Sequence, residues 1–199
     1  YKTNLRKPRS SILPRFARES GARPRPDVVL GWRAMSAAPE TPLQIADRIA
    51  AVFAETAVAR DERAGTPKRE RDLLRQSGLL KLSIPTELGG LGAAWPEIMA
   101  VVRRLAKVDG SVAHVFGFHH LLMATLRLFA AENQWRSWFA AAVERDQFWG
   151  KALNPLDPRT TLRWQGEVGL IDGEKSFCSG ALDSDMLIVS AIDSDTKKL

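Results

Sequence analysis

A run of almost entirely apolar residues, Ser111–Phe129, constrains the fold of this chain more than any other feature. Before Arg127 its only ionisable side chains are the three histidines of the sequence, His114, His119 and His120. A helix that is apolar on every face is normally buried. Its start is too polar for a membrane span, which needs about 20 mainly apolar residues. We therefore expect a central helix surrounded by other helices, with no membrane contact.

The spacing of the histidines argues against a metal site. Helical metal ligands are typically four residues apart, whereas His119 and His120 follow His114 by five and six residues. No cysteine or carboxylate cluster accompanies them, and we predict no bound metal. Histidines on apolar helices are most often hydrogen-bonded core groups, so we expect His119 and His120 to be structural or to line a pocket. His114 and Phe118, four residues apart, share one helix face.

The net charge of +6 is concentrated at the start of the chain, where residues 1–34 contain nine basic and two acidic side chains. Because nucleic-acid binding requires clustered cations on the folded domain, we expect no nucleic-acid partner. Residues 1–36 are rich in Arg, Pro and Ser without hydrophobic periodicity, which predicts a disordered basic leader. The single cysteine, Cys178, excludes an intrachain disulfide and fits a cytoplasmic location.

Residues 37–146 are predicted to form a helical domain. Thr41-Pro42 and Thr66-Pro67 each place a hydroxyl N-cap before a proline suited to the first helical turn. Gly78 is expected to end the second of these helices. The histidine helix is expected to be capped by Asp109 or Ser111. A loop with left-handed turns is predicted between the second and third helices, where four residues oppose a helix: Pro85, Gly89, Gly90 and Gly92.

Residues 147–199 have the pattern of strands, which predicts the start of an antiparallel β-domain. Asp172-Gly173 is the strongest hairpin signal in this region, with residues 174–178 as the expected return strand. Residues 186–192 form a further apolar run. A sheet of so few strands is marginal alone. We therefore predict an α+β fold, an N-terminal helical bundle followed by a partial antiparallel β-domain of a larger protein.

Two segments resemble the acyl-CoA dehydrogenase superfamily. Gly78–Gly92 looks like the signature that follows the second helix of that family, and Asp172–Ala181 is similar to the strand that passes the flavin ring. The resemblance covers roughly residues 41–199. It implies an acyl-CoA dehydrogenase-like fold whose C-terminal helical domain is missing here, and a homotetramer in the full-length form.

Within the superfamily, the chain is most similar to the flavin-dependent monooxygenase branch, of the dibenzothiophene monooxygenase type. Residues 152–157 lack the Gly-Ser-Asp of true dehydrogenases, and Phe177–Gly180 replaces their usual Trp-Ile-Thr/Ser-Asn. The similarity also includes His114–His119. It implies FMN or FAD, used as reduced flavin from a separate flavin reductase, with O2 as co-substrate. The substrate would be a small organic molecule, with sulfur compounds as candidates.

The resemblance also assigns roles to individual residues. His114 matches the histidine near the flavin, as a proton donor or hydrogen-bond partner, and Ser179 matches the serine that hydrogen-bonds the flavin edge; both are predicted to be catalytic. Lys151 stands where Asn is common, and Phe118 stands where Tyr is common and so lacks a hydroxyl. The predicted flavin-binding residues are Phe118, Lys151, Asn154, Phe177, Ser179 and Gly180.

Two other functions remain open from the sequence. An FAD-dependent acyl-CoA dehydrogenase would oxidise the Cα–Cβ bond of an acyl-CoA, with a carboxylate base that the family carries in the C-terminal helical domain. A helical interaction module without enzymatic activity would leave the glycine-rich loop and Phe177–Gly180 without a purpose.

Overall fold

The computed structural model describes residues 39–199, in which six α-helices precede five short strands. The predicted leader, residues 1–36, lies outside the described residues. The helices are α1 (Pro42–Ala54), α2 (Ala57–Glu62), α3 (Lys68–Ser77), α4 (Trp95–Ala106), α5 (Gly110–Phe129) and α6 (Glu132–Glu144). The strands are β1 (Trp149–Ala152), β2 (Thr160–Gln165), β3 (Val168–Gly173), β4 (Met186–Val189) and β5 (Ile192–Asp193). The predicted α+β class is confirmed.

The helix ends largely follow the expected capping chemistry. Thr41 and Gln44 form a reciprocal capping box at the start of α1. Gly78 ends α3 in the left-handed conformation, with φ of 77°. Asp109, rather than Ser111, caps α5 by accepting a hydrogen bond from the backbone N–H of Val112. The α3 entry was predicted one residue early, because Pro67 is the N-cap and Thr66 does not cap the helix.

Helix α5 lies at the centre of the helical region, between α4, α6 and β1. Phe148, just before β1, is fully buried in the core formed by α1, α3, α4 and the first half of α5. Trp149 is fully buried in a second core between the latter half of α5 and α6. The expected wall of helices is incomplete, since Leu128 and Phe129 are 80% and 83% exposed. The helix is long and apolar enough to cross a membrane by composition alone, as core helices of soluble proteins often are.

The predicted loop after α3 is confirmed. It consists of two 3₁₀ turns, Leu79–Lys81 and Thr86–Leu88, followed by left-handed Gly89. A Cβ atom on Gly90 would lie 2.0 Å from the carbonyl oxygen of Ile84, so only glycine fits there.

The strands do not form the predicted antiparallel meander. Strand β1 pairs with β4 in parallel, and β2 pairs with β3 antiparallel and with β5 in parallel. The apolar run predicted as one strand over residues 186–192 is divided into β4 and the start of β5. Hydrophobic patterns identify strands but not their partners, and parallel neighbours are joined by long crossovers rather than tight turns.

The hairpin turn was also predicted in the wrong place. It lies at Gly166-Glu167, between paired residues Gln165 and Val168, and Gly166 has a φ of 60°. Gly173 instead ends β3 opposite Thr160. A Cβ atom there would lie 2.0 Å from the carbonyl oxygen of Arg159, so this glycine permits close backbone packing. Residues 174–178, predicted as the return strand, do not form a strand.

Candidate functional site

The two predicted catalytic residues meet on the surface. His114 Nε2 on α5 lies 3.0 Å from Ser179 Oγ, in the loop between β3 and β4. The imidazole is exposed, and it packs against the ring of Phe118 at 4.7 Å between centroids. Phe118 thus shares a face with His114, as their spacing predicted. This pair offers an imidazole and a hydroxyl to a ligand that approaches from solvent.

Lys151 connects β1 to the same group. Its ammonium nitrogen lies 4.3 Å from the centroid of the Phe118 ring, a cation–π contact. The ammonium also donates a 3.4 Å hydrogen bond to the carbonyl oxygen of Phe177. The Phe177 ring is 80% exposed, on a backbone with a φ of 58°. A positive φ is uncommon for a non-glycine residue, and such outliers cluster at ligand-binding sites.

Gly180 allows residues 179–185, the Ser179 segment, to pack closely on β1. The backbone N–H of Lys151 donates a 3.1 Å hydrogen bond to the carbonyl oxygen of Ser179. A Cβ atom on Gly180 would lie 3.0 Å from the Phe148 ring, and one on Gly150 would lie 2.8 Å from the Gly180 carbonyl. Both glycines are needed for this close packing, which fixes the position of Ser179 relative to His114.

Asn154 lies beside the site but makes no described contact with the His114–Ser179 pair. Its Nδ2 donates a 3.3 Å hydrogen bond to Ser176 Oγ. The same loop is fixed by Asp157, whose carboxylate accepts hydrogen bonds from Arg159 and from the backbone and hydroxyl of Ser176. The hydrogen bond from Arg159 is the main reason that the pKa of Asp157 is far below its usual value. Asp157 is therefore an anion whose hydrogen bonds fix Ser176, the residue before Phe177.

His119 has a structural position, as expected. The backbone N–H of Trp149 donates to its Nδ1 at 3.0 Å, so the proton resides on Nε2 and is donated to the Leu80 carbonyl at 2.9 Å. Burial lowers the pKa of His119 to about 4. The neutral ring thus joins α5 to both the glycine-rich loop and the start of β1.

His120 is also fully buried, and its Nδ1 forms a 2.8 Å hydrogen bond with Ser83 Oγ. Burial holds the pKa of His120 well below its usual value. Neither histidine reaches the surface where His114 lies, so only His114 of the three is available to a ligand. No group of three or more His, Cys, Asp or Glu side chains within residues 39–199 is arranged to hold a metal.

Two arginines that the sequence did not single out lie behind the Ser179 segment. Arg71 and Arg75 on α3 form ion pairs with Asp183. Their spacing of four residues indicates a shared helix face, but their acidic partner is distant in sequence and gives no local signal. Arg71 and Gly180 are among the residues that line a cavity of about 210 Å³. A larger cavity, about 470 Å³, lies elsewhere around Arg60 and contains none of the predicted site residues.

Comparison with known proteins places this chain in a family. The model of the acyl-CoA dehydrogenase N-terminal domain matches residues 41–146. A probable FMNH2-dependent monooxygenase, SfnC of Pseudomonas putida, is 56% identical over 155 residues, which are 78% of this chain and 39% of the relative. The dibenzothiophene monooxygenase of Rhodococcus qingshengii is 35% identical over 169 residues, 82% of this chain and 40% of the relative. The chain thus spans about 40% of the length of these curated relatives.

Solved structures agree with this placement. Methanesulfinate monooxygenase MsuC of Pseudomonas fluorescens is 60% identical, with a TM-score of 0.77 over 78% of this chain and 40% of that chain. FMN-bound TdsC of Paenibacillus sp. A11-2 is 40% identical, with a TM-score of 0.72 over 77% of this chain and 40% of that chain. Together with the match over residues 41–146, these similarities show that the chain belongs to the acyl-CoA dehydrogenase family, whose N-terminal domain it contains.

Proposed function

We propose that the protein containing this chain is a reduced-flavin monooxygenase that uses FMN and acts on a small sulfur compound. In the balanced reaction, the substrate, FMNH2 and O2 give the oxygenated substrate, FMN and water. The observation that carries the proposal is the 3.0 Å contact between His114 and Ser179 on an open surface. The relatives support it through their names, which include FMNH2-dependent, dibenzothiophene and methanesulfinate monooxygenases.

The residues around this pair suit a flavin. A planar ring system needs polar groups at its edge, which Ser179 and His114 supply, and the close packing of Gly150 against Gly180 holds Ser179 in place for this role. The flavin, bound in its reduced form FMNH2, would supply the reducing electrons for oxygen activation. In our proposal His114 donates or holds a proton at Nε2, and Ser179 orients that imidazole while hydrogen-bonding the cofactor.

Lys151 would add a positive charge beside the cofactor. Its ammonium is partly occupied by the Phe118 ring and the Phe177 carbonyl, so it is held in place before any ligand arrives. A fixed cation favours an anionic form of the reduced flavin. An uncharged side chain at position 151 could offer hydrogen bonds to the cofactor but no positive charge.

The remaining features of the proposal follow from the type of chemistry. A monooxygenase that consumes FMNH2 needs a flavin reductase as a partner, because each turnover oxidises FMNH2 to FMN, which must be reduced again. We further propose a homotetramer and a cytoplasmic location, where reduced nicotinamide cofactors support such a reductase. The alternative, an acyl-CoA dehydrogenase, has less support because the more similar relatives are named as monooxygenases.

The proposal is tested by replacing His114 in the intact protein. We expect His114→Ala to lower product formation about 100-fold or more, the usual effect of losing a positioned proton donor, with little change in FMN affinity. Product and hydrogen peroxide are measured per FMNH2 oxidised, with methanesulfinate and dibenzothiophene as trial substrates. Arg103→Ala, an exposed position on α4, is the matched control.

Two results would contradict the proposal. One is unchanged oxygenation in the His114→Ala protein. The other is anaerobic bleaching of bound FAD by an acyl-CoA, which would indicate the dehydrogenase reaction instead.

A further inference from the structure

Helix α3 presents two guanidinium groups to the back of the Ser179 segment. Arg71 and Arg75 lie on one helix face, each with its guanidinium carbon 5.9 Å from the centroid of the Phe148 ring. Arg71 is 3% exposed, and Phe148 is fully buried. The Phe148 ring in turn packs on Gly180. The arginines and Gly180 are therefore linked through a single buried ring.

Arg75 also binds the segment directly, at three acceptors. Its Nη2 donates to the Asp183 carbonyl at 2.8 Å and to Asp185 Oδ2 at 3.2 Å. Its Nη1 lies 3.2 Å from Asp183 Oδ2. The Nε of Arg71 lies at the same distance, 3.2 Å, from that carboxylate oxygen. The guanidinium reaches these acceptors from two separate nitrogens, whereas the three donors of a lysine ammonium all lie on one nitrogen.

Asp185 connects this network to β1. Its Oδ2 accepts a 2.7 Å hydrogen bond from the backbone N–H of Phe148, and its own N–H donates to the Phe148 carbonyl at 2.8 Å. At the other end of the segment, the Ser179 carbonyl accepts from Lys151 N–H at 3.1 Å. The segment 179–185 is therefore held at both ends, and Arg75, together with Arg71, connects the later end to α3.

We propose that Arg75 is a positioning residue for the catalytic pair. By bridging Asp183 and Asp185, its guanidinium presses segment 179–185 onto β1 and so sets the distance between Ser179 Oγ and His114 Nε2. Arg71 supports it through Asp183. The catalytic consequence rests on the function proposed above: without the bridge, Ser179 moves away from His114, and FMNH2 oxidation produces hydrogen peroxide instead of oxygenated product.

The placement itself is tested in flavin-free intact protein by hydrogen exchange. Arg75→Lys keeps the positive charge but removes the guanidinium, whose two nitrogens bridge Asp183 and Asp185. We expect exchange of the peptide covering residues 179–189 to rise by about tenfold or more, as local opening does when a restraint is removed. Peptides from α5 and α6 should be unchanged. Arg69→Lys is the control, because Arg69 is on the same helix, is exposed, and has only a 3.9 Å ion pair with Glu55.

The coupling to Ser179 is tested with a double-mutant cycle in the holoprotein. We expect Arg75→Lys to raise hydrogen peroxide per FMNH2 oxidised about threefold or more in the presence of Ser179, and to have no further effect in a Ser179→Ala background. A residue that merely stabilised the fold would lower oxygenation and hydrogen peroxide formation equally and would shift the unfolding midpoint.

The outcomes are separable. Unchanged exchange over residues 179–189, or additive effects with Ser179→Ala, would overturn the positioning role. If Arg75→Lys does not fold, Asp185→Asn removes the charge partner while retaining an acceptor for the Phe148 N–H, and the same exchange result is expected. If the protein shows no monooxygenase activity at all, the function proposed above fails, while the exchange measurement still decides whether Arg75 holds the segment.

Discussion

His114 and His119 show how one helix uses the same side chain for two purposes. His114 is exposed and faces a hydroxyl, whereas His119 is fully buried between a backbone donor and a backbone acceptor. The contact of His119 with Trp149 requires the neutral ring, because protonation would turn Nδ1 from an acceptor into a donor against the Trp149 N–H. The folded protein therefore resists protonation of His119.

We predict that this resistance makes the fold sensitive to acid. The pKa of His119 falls from 6.5 to about 4 on folding, so below pH 6.5 the unfolded chain binds a proton that the folded one does not. Stability from this group is fully present above pH 6.5 and is lost towards pH 4, by about 3 kcal/mol in total. His120 acts in the same direction. Urea unfolding followed from pH 7.5 to 4.5 measures the slope.

A variant separates this effect from general acid denaturation. His119→Phe should flatten the slope, and at pH 7 it should be less stable by about 2–5 kcal/mol because two buried backbone groups lose their partner. His114→Phe, an exposed change on the same helix, should preserve both the slope and the stability. A wild-type stability that is flat between pH 6.5 and 5 would contradict the prediction.

At the scale of elements, helices were easier to predict than strands. Capping residues, glycine stops and apolar spacing are local signals, which is why α1, the end of α3 and the loop to Gly92 were anticipated. Strand pairing depends on distant partners. The Asp172-Gly173 dipeptide has the composition of a hairpin turn, but Gly173 is used for close packing against Arg159, and Gly166 forms the turn.

The two glycines should respond differently to replacement. Gly166→Asn keeps a left-handed turn with no atom within 4 Å of the new Cβ, so we expect a change within about 1 kcal/mol. Gly173→Asn places a Cβ 2.0 Å from a carbonyl oxygen and should cost about 2 kcal/mol or more. Urea unfolding midpoints measure both. A larger loss of stability in Gly166→Asn than in Gly173→Asn would contradict this and would favour the turn at Asp172-Gly173 that the sequence predicted.

At the scale of the whole molecule, the site joins residues that lie far apart in the sequence. The sequence alone placed His114 on a helix and Ser179 next to a glycine, and only the family resemblance brought them together as flavin contacts. Spacing could not do so, because 64 residues separate them. Arg75 and Asp185 were not predicted for the same reason, since neither has a local signal for the other.

The division into a helical part, 37–146, and a β part, 147–199, stays a prediction, and the packing offers a test of it. Phe148 and Trp149 lie just past the proposed boundary but are fully buried in the two helical cores. A polypeptide that ends at residue 146 should be less stable than one that ends at residue 153 by several kcal/mol, because loss of a buried aromatic costs about 3–5 kcal/mol. Near-UV circular dichroism and urea unfolding compare the two. Equal stability would favour a boundary at residue 146.

The parallel pairing of β1 with β4 has a consequence for the order of folding. Trp149 and Met186 are register partners, and the Ser179 segment lies in the long connection between them. Helices form from local contacts, whereas the pairing of distant strands closes a large loop and so costs conformational entropy. His114 would thus lie on a formed helix before Ser179 packs against it. During synthesis, the catalytic pair would come together only after the residues up to Val189 have left the ribosome.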